Sequence, residues 1–255
     1  MTNNMSSSLK PEEMEILSKD FRLVRNISSD SSYSIASKDF LHQEKCLAYL
    51  NKVTDILPAS TKVASVSQFS KRYAFLTFGS GLYSMTMYNK GLDYSINNCY
   101  IESNYHRESW IPNLRLLDWH VTEPEDENWN KWRDQMIQTI FAENIAKVWE
   151  VISKVVRIPS SVLWENTAIS VYWMYEKKMR EEASENQKER ILEDYHYLLS
   201  APADLFGTAE NPLTKFDSPK STTASSVEPI RMRKTCCYYY QTPANIYCRT
   251  CPRKK

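Results

Sequence analysis

Val63-Ala64-Ser65-Val66-Ser67-Gln68-Phe69-Ser70-Lys71-Arg72-Tyr73-Ala74-Phe75-Leu76, continuing through Leu82 to Met87, is the stretch on which the fold turns. Val66, Phe69, Tyr73 and Leu76 recur at helical spacing on one face, and Asn89-Lys90-Gly91 provides a stop, so the pattern predicts a long helix over Val63–Met87. Gly79 and Gly81 fall inside it, one residue apart. Such a pair marks a close helix contact, a break or the approach of a ligand, and tight packing is the favoured reading.

Working outward, Lys10 to Val24 reads as a helix with Pro11 in its first turn and Glu12, Glu13 and Glu15 at its positive end. Asn26 to Ser34 is polar loop, and Phe40, Leu47, Leu50, Val53 and Leu57 predict a second helix stopped by Pro58. Beyond the long helix, Cys99-Tyr100-Ile101 and Leu114-Arg115-Leu116-Leu117 read as two short strands that could pair as a hairpin. Thr122-x-x-Glu125 has the form of a capping box opening a helix through Trp129, Trp132, Met136 and on to Ile152. A further helix runs from Val162 to about Arg180, and Ser184-x-x-Gln187 caps another that ends near Leu199. Periodicity disappears from Gly207 to Met232, where Ser218-Pro219-Lys220-Ser221-Thr222-Thr223 has linker composition. The expected class is α+β: a predominantly α-helical body, a small antiparallel β element and an irregular C-terminal four-cysteine segment. The expected divisions are an N-terminal helical region 1–60, a body 61–206, a linker 207–232 and a segment 233–255 packed on the body.

Composition narrows the function. The 255 residues are 42% hydrophobic and 25% charged with a formal net charge of +1, a globular balance that does not suit wholesale coating of nucleic acid or anionic membrane. Only 4 glycines occur, and no G-x-G-x-x-G or P-loop pattern is present, which argues against a nicotinamide or flavin site of the chain's own. The N-terminus lacks signal-peptide character and no apolar run is long enough to span a bilayer, so a cytoplasmic protein without a transmembrane segment is expected. The four histidines, His42, His106, His120 and His196, form no metal-binding pair. Cys46 and Cys99 read as buried small hydrophobes, Trp129 and Trp132 as helix packing, and Trp110, Trp119 and Trp164 as core before substrate wall.

The remaining cysteines carry the chemistry. Cys236, Cys237, Cys248 and Cys251 have the spacing C-C-x10-C-x2-C, and four thiolates suit either a tetrahedral zinc ion or a [2Fe–2S] cluster. The C-x2-C half is a chelating turn. The vicinal pair is unusual for structural zinc, and a two-iron cluster offers it a second metal. Spacing alone leaves both open. From Arg231 to Lys255 the chain carries Arg231, Arg233, Lys234, Arg249, Arg253, Lys254 and Lys255 and no acidic residue, so these cations are expected to favour a reduced, anionic centre. Arg231, Arg233 and Lys234 are the candidate substrate-binding residues. Tyr238-Tyr239-Tyr240 is expected to cover the metal site rather than to stack on nucleic-acid bases.

The terminus Cys-Cys-x10-Cys-x2-Cys-Pro resembles the signature of the FhuF family of siderophore-iron reductases. The runs Phe69-Ser70-Lys71-Arg72-Tyr73-Ala74, Met87-Tyr88-Asn89-Lys90-Gly91-Leu92-Asp93 and Leu163-Trp164-Glu165-Asn166-Thr167 are similar to the same family, from about Lys62 onward; the body is also similar to a region of siderophore synthetases. The resemblance implies a [2Fe–2S] cluster on Cys236, Cys237, Cys248 and Cys251. It also implies cytoplasmic, one-electron reduction of a ferric siderophore, of hydroxamate or mixed citrate–hydroxamate type. Such an oxidoreductase requires no general base or nucleophile, and its electron comes from outside, from a ferredoxin or a flavoprotein. Two other readings stand beside it: a zinc-stapled binding or regulatory module, and an iron–sulfur electron carrier with a non-siderophore acceptor.

Overall fold

The computed structural model describes residues 7–106, 109–125, 128–223 and 226–253. Its central element is α3 (Lys62–Tyr88), which starts where the Thr61 hydroxyl accepts the Ala64 N–H at 3.3 Å and ends at Asn89 in the left-handed region, φ 58°. A helix sheathed on all sides loses its polar face. From Tyr73 to Thr86 nearly every residue of α3 is buried, under α1 (Pro11–Phe21), α2 (Gln43–Ile56), α4 (Trp129–Ile140) and α6 (Ser160–Trp173). The glycine pair lies where neighbours press closest. A Cβ on Gly79 would meet Phe21 at 2.9 Å, and one on Gly81 would meet Ile140 at 2.8 Å and Tyr94 at 2.9 Å. Close contact is therefore their role, and the helix passes through them unbroken.

The sheet has the order β1-β4-β3-β2, from β1 (Leu23–Val24), β2 (Ile35–Ala36), β3 (Cys99–His106) and β4 (Ser109–Leu116). The two longer strands form the expected hairpin, with Ile101 opposite Leu114 and Cys99 opposite Leu116, while β1 pairs with β4 in parallel. A π-helical turn, Phe141–Ile145, joins α4 to α5 (Ala146–Val156). There Asn144 accepts the Tyr73 hydroxyl at 2.6 Å and donates to the Tyr94 carbonyl at 2.7 Å, tying the turn to α3. A second π-turn, Met174–Lys178, connects α6 to α7 (Met179–Glu182), and α8 (Glu185–Ser200) opens with the Ser184/Gln187 capping box. One apolar cluster runs from Leu17 to Phe216. The class is α+β, dominated by helix.

Two local expectations are corrected. Thr122 does not cap a helix: its backbone pairs with Gly91 through two 2.8 Å bonds and its hydroxyl accepts Trp132 Nε1 at 2.9 Å, so α4 begins only at Trp129. Tertiary pairing outbids the local motif there. The stretch 207–232, expected as linker, contains α9 (Pro212–Phe216) and a hairpin of β5 (Lys220–Thr223) and β6 (Ser226–Arg231). The Asn211 side chain caps α9 by accepting the Leu213 N–H at 2.8 Å, and Leu213 and Phe216 are buried. Lys220 and Arg231 both pair with Glu176, at 2.7 and 2.8 Å, fixing the hairpin to the second π-turn.

Candidate metal centre

The cysteine segment buries little of its side-chain surface. Between 233 and 253 only Arg233, Cys237 and Cys251 are buried, so polar contacts must position it. Its two halves are joined where the Arg233 N–H donates to the Thr250 carbonyl at 3.0 Å, and the C-x2-C half closes as a turn, Cys251 N–H to Cys248 carbonyl at 3.1 Å. After the vicinal pair the chain reverses at Tyr238, φ 57°, into a 3-10 turn, Tyr239–Gln241.

The body grips this segment by its backbone. Glu165, on α6 and 1% exposed, accepts the Lys234 N–H at 2.6 Å, the Thr235 N–H at 2.8 Å and the Thr235 hydroxyl. Arg233 lies 3.5 Å from the same carboxylate and donates to Asn166 Oδ1 at 2.7 Å. From α3, the Ser67 hydroxyl and Gln68 Nε2 both donate to the Cys237 carbonyl at 2.8 Å. Asn166 Nδ2 in turn donates to the Ser67 carbonyl and hydroxyl, at 3.1 Å each, and to the Ser70 hydroxyl at 2.9 Å, which locks the two helices into one platform. At the far end Ser60 N–H donates to the Gln241 carbonyl at 2.8 Å and Thr61 to the Gln241 side chain at 2.7 Å.

All four thiols stand at this end of the molecule. Cys237 and Cys251 are 2% exposed, Cys236 and Cys248 are half-buried, and the Cys237 and Cys248 sulfurs are 3.5 Å apart. The hydrogen bond with Cys248 holds the Cys237 thiol far below its ordinary value, to about 4; burial opposes this, and Lys71 and Arg233 reinforce it. The same bond pushes Cys248 up. The Tyr238 N–H donates to Cys236 Sγ and the Arg253 N–H to Cys251 Sγ, both at 3.4 Å. Four cysteine sulfurs in one segment, backbone donors on two of them and nearby cations are what an anionic iron–sulfur centre requires, so the residues fit such a group. Among the described residues no three His, Cys, Asp or Glu side chains are already gathered around a single point. Cys46 and Cys99 are buried elsewhere, and burial raises both, Cys46 to about 12, which leaves them inert thiols.

Residues 67–223 match the family model described as ferric iron reductase FhuF-like transporter. The chain belongs to the FhuF family. Residues 233–253 match the FhuF 2Fe–2S C-terminal domain, so this FhuF member carries a [2Fe–2S] cluster and is an oxidoreductase of the ferric iron reductase kind. No curated protein matches the chain. One run similar to the FhuF family now has a physical role, and the residues just before a second run share it. Leu163-Trp164-Glu165-Asn166-Thr167 contributes the carboxylate and amide that hold Arg233, Lys234 and Thr235, and Ser67 and Gln68, just before Phe69, hold Cys237.

The basic residues meet a different fate from the one expected of them. Arg231 is paired with Glu176 at 2.8 Å and Asp217 at 2.7 Å and stacks over Tyr172, and Arg233 is 6% exposed against Glu165. Both arginines are committed to internal partners. Lys234 is exposed and donates to the Lys215 carbonyl. The stretch from Arg231 to Lys255 contains no acid; the acids that pair with Arg231 and Arg233 arrive from α6, the second π-turn and Asp217. Lys254 and Lys255 lie outside the described residues. Of the tryptophans, Trp119 lies under Arg25 at 4.0 Å, Trp164 borders a cavity near Gly207, and Trp110 stacks on Phe69 at 5.6 Å. Among the described residues no helix is long and apolar enough to cross a membrane.

Proposed function

We propose that this protein is a cytoplasmic ferric-siderophore reductase in which Cys236, Cys237, Cys248 and Cys251 hold the [2Fe–2S] cluster. Its electron arrives from an external ferredoxin or flavoprotein. The observation that carries this reading is the grip on the cysteine segment: Glu165, Ser67 and Gln68 hold its backbone and Asn166 holds the Arg233 side chain, none of them through a cysteine sulfur. When bound, such a cluster supplies one electron at a time. The chain's own part is to anchor the thiolates and, through the Tyr238 and Arg253 N–H groups, to stabilise the charge on two of them.

The reading agrees with the chemistry of iron. Hard oxygen donors hold Fe(III) far more tightly than Fe(II), so one electron loosens the chelate without breaking a covalent bond. Unpaired Cys46 and Cys99 accord with a reducing compartment. The test is rapid mixing of reduced protein with a panel of ferric siderophores, following the visible absorption of the cluster and trapping Fe(II). Reoxidation matched by one Fe(II) per electron is expected; colourless, zinc-loaded protein from an anaerobic preparation would sink the proposal.

A further inference from the structure

A cavity of about 770 Å³ opens between α3, α6, β4 and the Tyr239–Gln241 turn. That volume is within the range of small-molecule sites, about 300–1,000 Å³. Arg22, Lys71 and Arg72 line it together with Trp110, Trp173 and Tyr239. The carboxylate in the lining, Asp20, is engaged by Lys178 at 2.9 Å. The three cations are half-buried, and among the described residues none of them has a carboxylate within ion-pair distance. Lys71 Nζ donates to Gln68 Oε1 at 2.9 Å, and Arg72 gives a single bond, 3.0 Å, to the Gln68 carbonyl, which leaves most of its five donors unused. Burial lowers the pKa of Arg22 and of Arg72, and the charge of Arg22 lowers that of Arg72 further. Partly desolvated like charges held close together repel one another, and an anion between them relieves that repulsion.

The cavity also adjoins the cysteines. Gln68 lines it while its Nε2 holds the Cys237 carbonyl, and Tyr239 lines it two residues beyond Cys237. Trp173, 45% exposed, is a large apolar side chain left open beside two arginines. Lys71 also faces the Cys237 sulfur, so Arg22 and Arg72 are the cations here without an anionic partner among the described residues. Aromatic surface beside them suits a ligand that is partly apolar and carries net negative charge.

We propose that the ferric chelate docks in this cavity, and that Arg22, Lys71 and Arg72 select complexes with net negative charge, those containing carboxylate or citrate groups, over neutral ferric trihydroxamates. The assignment rests on the ferric-siderophore reading. One electron passes from the reduced centre to the docked Fe(III), giving Fe(II) and an oxidised centre; the reductant is the external electron carrier, and no bond within the protein forms or breaks.

The experiment separates docking from electron transfer by using Ga(III), which has the charge and size of Fe(III) but is not reduced. Holoprotein is titrated calorimetrically with the Ga(III) complex of a citrate–hydroxamate siderophore and with a neutral Ga(III) trihydroxamate. The unaltered protein should bind the anionic complex at least ten-fold more tightly, and added salt should erode that preference while leaving the neutral complex alone. Arg22→Gln with Arg72→Gln should weaken the anionic complex ten-fold or more, with cluster absorption and midpoint potential unchanged. Equal affinity for the two complexes, a salt-insensitive preference, or a double variant that binds as the unaltered protein does would overturn the docking site. Parallel mixing of dithionite-reduced protein with the ferric complexes keeps the two claims apart. Reoxidation that persists while Ga(III) binding ignores the arginines removes this site and leaves the reductase, whereas failure of every ferric complex to reoxidise the unaltered protein removes both.

Discussion

Helix α3 and the cysteine segment touch each other at Ser67 and Gln68, yet they are held by opposite kinds of force. The helix is embedded in apolar packing: Phe69 alone has ring neighbours Phe40 at 5.8 Å, Tyr49 at 6.2 Å, Tyr73 at 5.8 Å and Trp110 at 5.6 Å. Residues 233–253 bury one arginine and two cysteines and are otherwise half-buried or exposed, with Ile246 59% and Tyr247 46% open to solvent. Such a stretch cannot offset its chain entropy by apolar burial. It depends on directional contacts to the body and on the metal centre. The body should therefore survive damage to the segment, and the segment should be sensitive to changes that barely disturb the body.

The sharpest test is Cys237→Ser. Losing the buried thiolate should abolish the stable cluster and siderophore reduction, while far-UV circular dichroism and the thermal transition of the body persist. Body unfolding in step with cluster loss would show that the two regions are not separable. The converse probe is Phe69→Ala, which should cost the body about 3–5 kcal/mol in urea denaturation, the range for an aromatic truncated in a packed core. Below the transition its cluster absorption should be that of the unaltered protein. Glu165→Gln stands between the two. Replacing the carboxylate that accepts the Lys234 and Thr235 N–H groups should cost about 1.5–3 kcal/mol, the value of charge-assisted bonds. Its loss should appear first as faster cluster release and faster proteolysis between Thr242 and Tyr247, before any change in the body. A uniform shift of the global transition, with cluster release unaltered, would contradict the division of forces.

The smallest effect is expected from pH. Burial would raise the Glu176 carboxyl, but bonds from Arg231 and Lys220 outweigh it and hold the group below its ordinary 4.5. A carboxylate depressed in the folded state stabilises fully above its unfolded value and loses that contribution as pH falls through the folded one. The stability gap between the unaltered protein and Glu176→Gln should thus be constant above about pH 5 and shrink below pH 4.5, and at this partly exposed position it should stay under about 1 kcal/mol. A gap that widens in acid would reverse the assignment.

Features whose cause is local were legible in the sequence. The apolar period of α3, its stop at Asn89 and the Ser184/Gln187 box at α8 are written within a few residues, and the four-cysteine spacing marks the metal segment. Features whose cause is distant were not. Thr122 has the letters of a cap but spends its groups on Gly91 and Trp132, and Lys220-Ser221-Thr222-Thr223 has the letters of a linker but pairs across a hairpin held by Glu176. Arg231 and Arg233 look unpaired along the chain because Glu176 and Glu165 reach them only through the fold. Arg22, Lys71, Arg72 and Tyr239 become neighbours for the same reason.

Every body group that grips the cysteine segment, from Ser60 to Glu165 and Asn166, precedes it in the chain. During synthesis the cradle is translated before the first of the four thiols leaves the ribosome, and chains fold from the N-terminal side as they emerge. A cradle folded in that order is in place to receive the segment as it emerges. A protein arranged in the reverse order would leave four reactive thiols waiting for their support to be made.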